Sequence, residues 1–189
     1  MSASETARAR LIDLLRERSF ERKKVTLASG RESDFFIDCK QTILTAEGHA
    51  LAGELMFAAL DAFPGCEAVA GVELGGCPLA SAVSLVSFQR GGPLPALYVR
   101  KEAKDHGSRQ LIEGGRALKP GMKVVILEDV ITTGGSTLKA REKLEAAGLL
   151  VIGVVALVDR LEGGAEAIRT GGVPVIALCN RRDFLPDIG

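Results

Sequence analysis

Val124-Val125-Ile126-Leu127-Glu128-Asp129-Val130-Ile131-Thr132-Thr133-Gly134-Gly135-Ser136-Thr137 is the stretch on which the fold turns. It runs as a buried strand, an acidic pair at the strand's carboxyl end, a Thr/Gly/Ser loop and a helix start. Gly134 and Gly135 let backbone N–H groups approach an anion with no side chain in the way. The helix beginning near Ser136 offers unpaired N–H groups and a partial positive charge, worth about 0.3–1 kcal/mol to an anion and up to about 2 kcal/mol when partly buried. Thr132, Thr133, Ser136 and Thr137 add hydroxyl donors. The stretch is therefore a phosphate cradle. It lacks both Gly-x-x-x-x-Gly-Lys-Ser/Thr and Gly-x-Gly-x-x-Gly, so neither the nucleoside-triphosphate loop nor the dinucleotide fingerprint accounts for it. Glu128 and Asp129 would repel a bare phosphate. They suit a ligand that also offers hydroxyls or a bound Mg²⁺. A ribose 5-phosphate fits, with its phosphate on the loop and its 2- and 3-hydroxyls on the carboxylates. Ser, Thr and Gly at such a junction also serve as plain helix caps, but here every part matches an anion-plus-ribose site.

On either side of this stretch, strands alternate with helices. Continuous apolar runs predict strands over 68–72, 94–99, 123–127, 151–158 and 173–178. Helices are expected over 78–88, 136–147 and 162–169, with Gly148 as the terminator of the second. Unbroken Val/Ile/Leu runs suit strands buried on both faces of a parallel sheet, and the alternation implies right-handed βαβ units. Ligands bind such sheets beyond the carboxyl ends of the strands. Before this core, Ser4 is expected to cap a first helix with Ala7, Leu11, Leu14 and Leu15 on one face. Residues 24–40 have no helical period and read as an irregular hairpin or hood. A second helix should follow Thr45, with Leu51, Leu55 and Ala59 inward.

The chain has 189 residues, enough for one domain, here divided into a helix and hood over 1–45 and a core over 46–189. Lys plus Arg total 24 and so do Asp plus Glu. This balance argues against a nucleic-acid or anionic-membrane partner, so any anion site must be local. The apolar stretch 68–88 is broken by Glu73, Gly75-Gly76 and Pro78, against a membrane helix. The polar Met1–Arg10 segment does not read as a secretory signal. Cys39, Cys66, Cys77 and Cys179 form no Cys-x-x-Cys pair and read as reduced thiols in a cytoplasmic protein.

A second cluster follows the strand at 94–99. Arg100-Lys101-Glu102-Ala103-Lys104-Asp105-His106-Gly107 carries four cationic or potentially cationic groups, with Gly107 and Gly114-Gly115 marking a loop. Such runs are ordinarily solvated surface. Beside a ribose-phosphate site, a closable cationic loop answers a charged leaving group. The 124–137 string closely resembles the binding motif for phosphoribosyl pyrophosphate (PRPP). The basic string is similar to the catalytic loop of the orotate phosphoribosyltransferases, Arg-Lys-x-x-Lys-x-His-Gly. Leu111-Ile112-Glu113-Gly114 continues that likeness. Ser29 to Asp38 resembles the family's hood over the pyrimidine, and Val158-Asp159-Arg160 its orotate-binding arginine. Gly71-Val72-Glu73-Leu74-Gly75-Gly76 matches the place of its pyrophosphate loop.

The resemblance implies a type I phosphoribosyltransferase fold: an α/β domain with a mainly parallel sheet flanked by helices and a small N-terminal hood. It implies PRPP plus orotate giving orotidine 5-phosphate and pyrophosphate, a step of de novo pyrimidine (UMP) biosynthesis. Lys104, His106 and Asp129 are the implied catalytic groups. Arg100, Lys101, Lys104, His106, Glu128, Asp129, Val130, Ile131, Thr132, Thr133, Gly134, Gly135 and Ser136 would hold PRPP, and Phe36, Thr132 and Arg160 the orotate. Mg²⁺ would arrive on PRPP without a direct protein ligand, near Asp129. A homodimer with shared sites is expected. Some relatives place Tyr-Lys where Leu74-Gly75 stand and Lys where Ala28 stands, so no pyrophosphate role is assigned to these positions. The alternatives are transfer to another base, or a non-catalytic PRPP sensor; a sensor would need a DNA-binding module, and the segment before the hood is too short and not basic enough.

Overall fold

The structure is a computed structural model that describes residues 2–26, 32–102 and 111–185. Helix α1 (Ala3–Arg18) begins one residue after Ser2, and Ser2 rather than Ser4 caps it. The Ser2 hydroxyl accepts from the Glu5 N–H at 3.2 Å, while the Glu5 carboxylate accepts from the Ser2 N–H at 2.6 Å. Three residues beyond Ser4 stands Ala7, which has no acid to close such a reciprocal box. Strands β1 (Phe20–Thr26) and β2 (Glu32–Ile37) pair antiparallel as a separate two-stranded sheet, the expected hood. The short α2 (Lys40–Ile43) follows. Then α3 (Ala46–Ala59) starts as expected after Thr45, whose hydroxyl accepts from the Gly48 N–H at 3.2 Å.

The apolar runs become β3 (Ala68–Val72), β4 (Ala96–Val99), β6 (Lys123–Ile131), β7 (Leu150–Asp159) and β8 (Val175–Asn180), with the two-residue β5 (Ile112–Glu113) at one edge. Between them lie α4 (Gly76–Gln89), α5 (Gly135–Ala146) and α6 (Gly164–Thr170). The order is β5-β4-β3-β6-β7-β8. All neighbours are parallel except β4 and β5. This is the mainly parallel, helix-flanked sheet read from the apolar runs. Val69, Val125, Leu127 and Val155 face the layer of α1, α3 and α4. Ala70, Ile126, Val154 and Ala156 face α5 and α6. Each fully buried Val, Leu or Ile contributes about 1.5–3 kcal/mol, so both faces of the sheet must be covered.

Several boundaries shift by a few residues, β4 starting at Ala96 and β8 running from Val175 to Asn180, and two shifts at the ligand edge bear on the site. β6 continues through the acidic pair to Ile131, because Val130 and Ile131 still pair with Val158 and Asp159 of β7. The last helix starts at Gly164, because the chain first turns through Leu161 (φ 56°) and Gly163 (φ 89°). Gly148 ends α5 with φ 82°, as expected of a terminator.

A two-stranded hairpin alone is marginal in water. This one is held by side chains. The rings of Phe20, Phe35 and Phe184 meet with centroids 5.1–5.6 Å apart. Asp34 pairs with Arg181, and Arg8 donates from Nη2 to both Asp183 oxygens, at 2.9 and 3.0 Å. Arg8 also donates from Nε to the Leu178 carbonyl at 2.7 Å. Thus α1, the hood and the turn at Arg181–Asp183 are tied together. Among the described residues, no helix is long and apolar enough to cross a membrane, and the 68–88 stretch is split into β3, a turn and α4.

Candidate active site

β3 and β6 are neighbours, yet the helices that follow them lie on opposite faces of the sheet. A crevice opens at such a switch point, beyond the carboxyl ends of the strands. The turn after β3, Glu73 to Gly76, lies against Leu127 and Asp129 of β6, and the loop from Thr132 to Gly134 follows β6 at the same end of the sheet. The Glu73–Leu74 peptide is cis. A Cβ on Gly76 would lie 2.4 Å from the Leu127 carbonyl oxygen. One on Gly75 would lie 1.9 Å from Asp129 Oδ2, so the carboxylate of Asp129 fills the space a side chain at position 75 would need.

The two acids diverge. Glu128 is buried, 4% exposed, and its Oε2 accepts from Thr137 Oγ1 at 2.9 Å and Ser136 Oγ at 3.2 Å. Burial, and next the negative charge of Asp129, push its carboxyl up to about 8 against the opposing pull of those hydroxyls. Asp129 is half-buried and accepts from the Val130 N–H at 2.9 Å. Glu128 thus braces the first turn of α5 from beneath, and Asp129 stands at the crevice beside Gly75. In the loop, Thr133, Gly135 and Ser136 are exposed and Thr132 is half-buried. Gly134 has φ 79°, and a Cβ on it would lie 2.8 Å from the Gly164 carbonyl oxygen. The side chain of Ile131 is in the core and that of Val130 is half-buried.

Arg100 and Lys101 reach the same region from the end of β4. With Ser136, Lys139 and Lys143 they line a cavity of about 330 Å³, so the basic segment and the first turns of α5 share one wall. Lys143 Nζ donates to the carbonyls of Arg100 and Lys101, at 2.7 and 2.8 Å. The Lys101 N–H donates to Glu73 Oε2 at 2.8 Å. Lys143 is a contributor the sequence reading missed; a lysine on a helix surface carries no mark of such a contact. Lys104 and His106, as well as Ala28, lie outside the described residues.

Arg160 follows β7, and its N–H donates to the Ile131 carbonyl at 3.0 Å, beside the loop that begins at Thr132. An arginine at a strand end is usually surface, but this one is 8% exposed. Its Nη2 donates to the Phe35 carbonyl at 2.8 Å and lies 2.9 Å from Glu162 Oε1. The aromatic pair of the hood divides. Phe35 is core, while Phe36 is half-buried with Lys23 Nζ 3.9 Å above its ring.

Comparison with known proteins agrees with this geometry. The model of the phosphoribosyl transferase domain matches residues 46–170. An orotate phosphoribosyltransferase of Sorangium cellulosum (strain So ce56) is 76% identical over 186 residues, covering 98% of this chain and 97% of the relative. The crystal structure of Mycobacterium tuberculosis H37Rv orotate phosphoribosyltransferase with Fe(III) dicitrate is 38% identical, with a TM-score of 0.80 over 94% of this chain and 98% of that one. The same Mycobacterium tuberculosis enzyme in complex with PRPP gives 35% identity and a TM-score of 0.77 over the same shares. With a Gly-rich loop and an acidic pair at the end of β6, a buried arginine beside them at the end of β7, and these likenesses across nearly its whole length, the chain belongs to the orotate phosphoribosyltransferase family.

Proposed function

We infer that this chain transfers the ribose 5-phosphate of PRPP to orotate, giving orotidine 5-phosphate and pyrophosphate, as a step in making UMP. The observation that carries this reading is the placement of Arg160. It stands one strand over from the phosphate loop, beneath the hood, where a flat carboxylate-bearing base would meet the sugar's C1. Arginine offers such a carboxylate a planar, two-pronged partner.

The reaction moves a glycosidic carbon, not a phosphoryl group. The bond from C1 to pyrophosphate breaks and a bond from C1 to the base nitrogen forms. The protein's task is to hold the reactants and stabilise charge on the departing pyrophosphate and the cationic sugar. Thr132, Thr133, Gly134, Gly135 and Ser136 take the 5-phosphate, with the backbone of Val130 and Ile131 supporting the loop. Asp129 takes the ribose hydroxyls, and Glu128 assists from below through Ser136 and Thr137. Arg100 and Lys101, joined by Lys104 and His106, take the pyrophosphate. Phe36, Thr132 and Arg160 take the orotate.

Mg²⁺ belongs to this proposal. Among the described residues, no group of three or more His, Cys, Asp or Glu side chains is arranged to hold a metal ion. Asp129, half-buried at the crevice, suits an ion that arrives on PRPP and keeps its waters. The ion would offset charge on the leaving group. The same reading includes a homodimer with shared sites, a cytoplasmic location, no nucleic-acid or membrane partner, and one domain with a hood over 1–45. The family match beginning at residue 46 supports that division. A spectrophotometric assay of orotate consumption with PRPP and Mg²⁺ tests the function. Turnover is expected; turnover of hypoxanthine or adenine with none of orotate would refute it.

A further inference from the structure

We propose that Glu162 is a positioning residue for orotate: it fixes the Arg160 guanidinium in the orientation that meets the base. This rests on the reading that Arg160 recognises orotate. The geometry is built for it. Asp159, itself buried, accepts the Leu161 N–H at 2.9 Å and starts a turn directly after β7. Leu161 takes φ 56°, and among the described residues no other non-glycine has a positive φ. A side chain with a Cβ is disfavoured there. Leu161 gains little in return, since it is 47% exposed.

What the turn achieves is to bring Glu162 back onto its neighbour but one. The two side chains are 10% and 9% exposed, and Nη2 and Oε1 lie 2.9 Å apart. Both carboxylate oxygens of Glu162 are buried, and neither completes a hydrogen bond among the described residues. Glu162 is therefore neither a helix cap nor a latch to another element, and it pairs with Arg160. Beyond it, Gly164 presses on the phosphate loop, where a Cβ would lie 2.5 Å from the Thr132 carbonyl oxygen and 2.7 Å from the Gly134 nitrogen.

The consequence is orientation. An arginine side chain has many rotamers, and a bidentate contact tolerates few of them. Nη2 is held by the Phe35 carbonyl on one side and Glu162 on the other. The acid also balances a cation that would be costly to bury alone. Without Glu162, the guanidinium would still be present but would no longer be aimed.

Steady-state kinetics of the full chain test this with Glu162→Gln, Arg160→Ala and the double variant. Glu162→Gln should raise the orotate KM about tenfold, the scale of one lost charge-assisted contact, and leave the PRPP KM within about twofold. The double variant should be no worse for orotate than Arg160→Ala. If Arg160→Ala raises the orotate KM and Glu162→Gln does not, the proposal fails and the role of Arg160 stands. If Arg160→Ala leaves it unchanged, the underlying reading fails and the proposal with it. Equal rises in both KM values after Glu162→Gln would mark a general structural role and overturn the proposal. Should Glu162→Gln not fold, Glu162→Asp keeps the charge but draws it back; an unchanged orotate KM in that variant is equally fatal.

Discussion

Asp129 keeps its carboxylate where any side chain at position 75 would have to stand. That close approach accounts for a glycine at this position in terms of room, whatever cation other family members carry there. It also makes Gly75 a sensitive test of the acid. In Gly75→Ala the new methyl must displace the Asp129 carboxylate. A shift of about 1 Å at a reacting group can cost about a hundredfold in rate, so kcat should fall by that order while the circular dichroism spectrum and melting temperature stay near the parent's. A fully active Gly75→Ala would show that the position of this carboxylate does not matter. Asp129→Asn is the complementary change. The amide oxygen can still accept from the Val130 N–H, so the fold should persist, but the charge proposed to face the ribose and Mg²⁺ is lost. Activity should drop about a hundredfold or more. A folded, fully active variant would return Asp129 to the status of a solvated acid.

The elements themselves were legible because strands buried on both faces have to be continuous in Val, Ile and Leu, and β3 was readable to the residue. Their ends were less so. Polar Glu128-Asp129 ended the apolar run, yet backbone pairing with β7 continued because Glu128 found hydroxyl partners inside the protein. The cap at Ser2 could have been read from Glu5, three residues on; the left-handed Leu161, and with it the pairing of Glu162, could not. At the junction of β6 with α5, burial holds the Glu128 carboxyl near 8, above its ordinary 4.5. The fold therefore favours the protonated form. The stability this group contributes is complete below about 4.5 and is lost as pH rises toward about 8, by up to about 1.4 kcal/mol per unit. Urea midpoints of the unliganded chain should fall across that window. Glu128→Gln keeps an acceptor for Ser136 and Thr137 and should flatten the profile. If the midpoint of Glu128→Gln falls as steeply as the parent's, another group is responsible.

At the scale of the whole molecule, the proposed dimer can be tested by mixing. Take Lys104→Ala and Asp129→Asn, each nearly inactive alone. If the loop bearing Lys104 serves the neighbouring subunit, one site of a mixed dimer receives both defects and the other receives neither. Random exchange makes about half the dimers mixed, so about a quarter of all sites are intact under two-fold symmetry. Activity should rise toward a quarter of the parent's after dissociation and reassociation. Verified mixed dimers with no gain would mean that Lys104 acts in its own chain's site. The hood, meanwhile, shares no strand pairing with the main sheet among the described residues and is moored through Asp34 and Arg181 to the turn at Arg181–Asp183, which Asp183 and Arg8 tie to α1. It should therefore not fluctuate alone. In amide hydrogen exchange, α1, the hairpin and Arg181–Asp183 should behave as one cooperative opening unit, less protected than β3, β6 and β7. Asp183→Ala, a change near the end of the chain, should then quicken exchange in Phe20–Thr26 and Glu32–Ile37 while the central strands stay slow. Unaltered hairpin exchange would assign its mooring to the three phenylalanines.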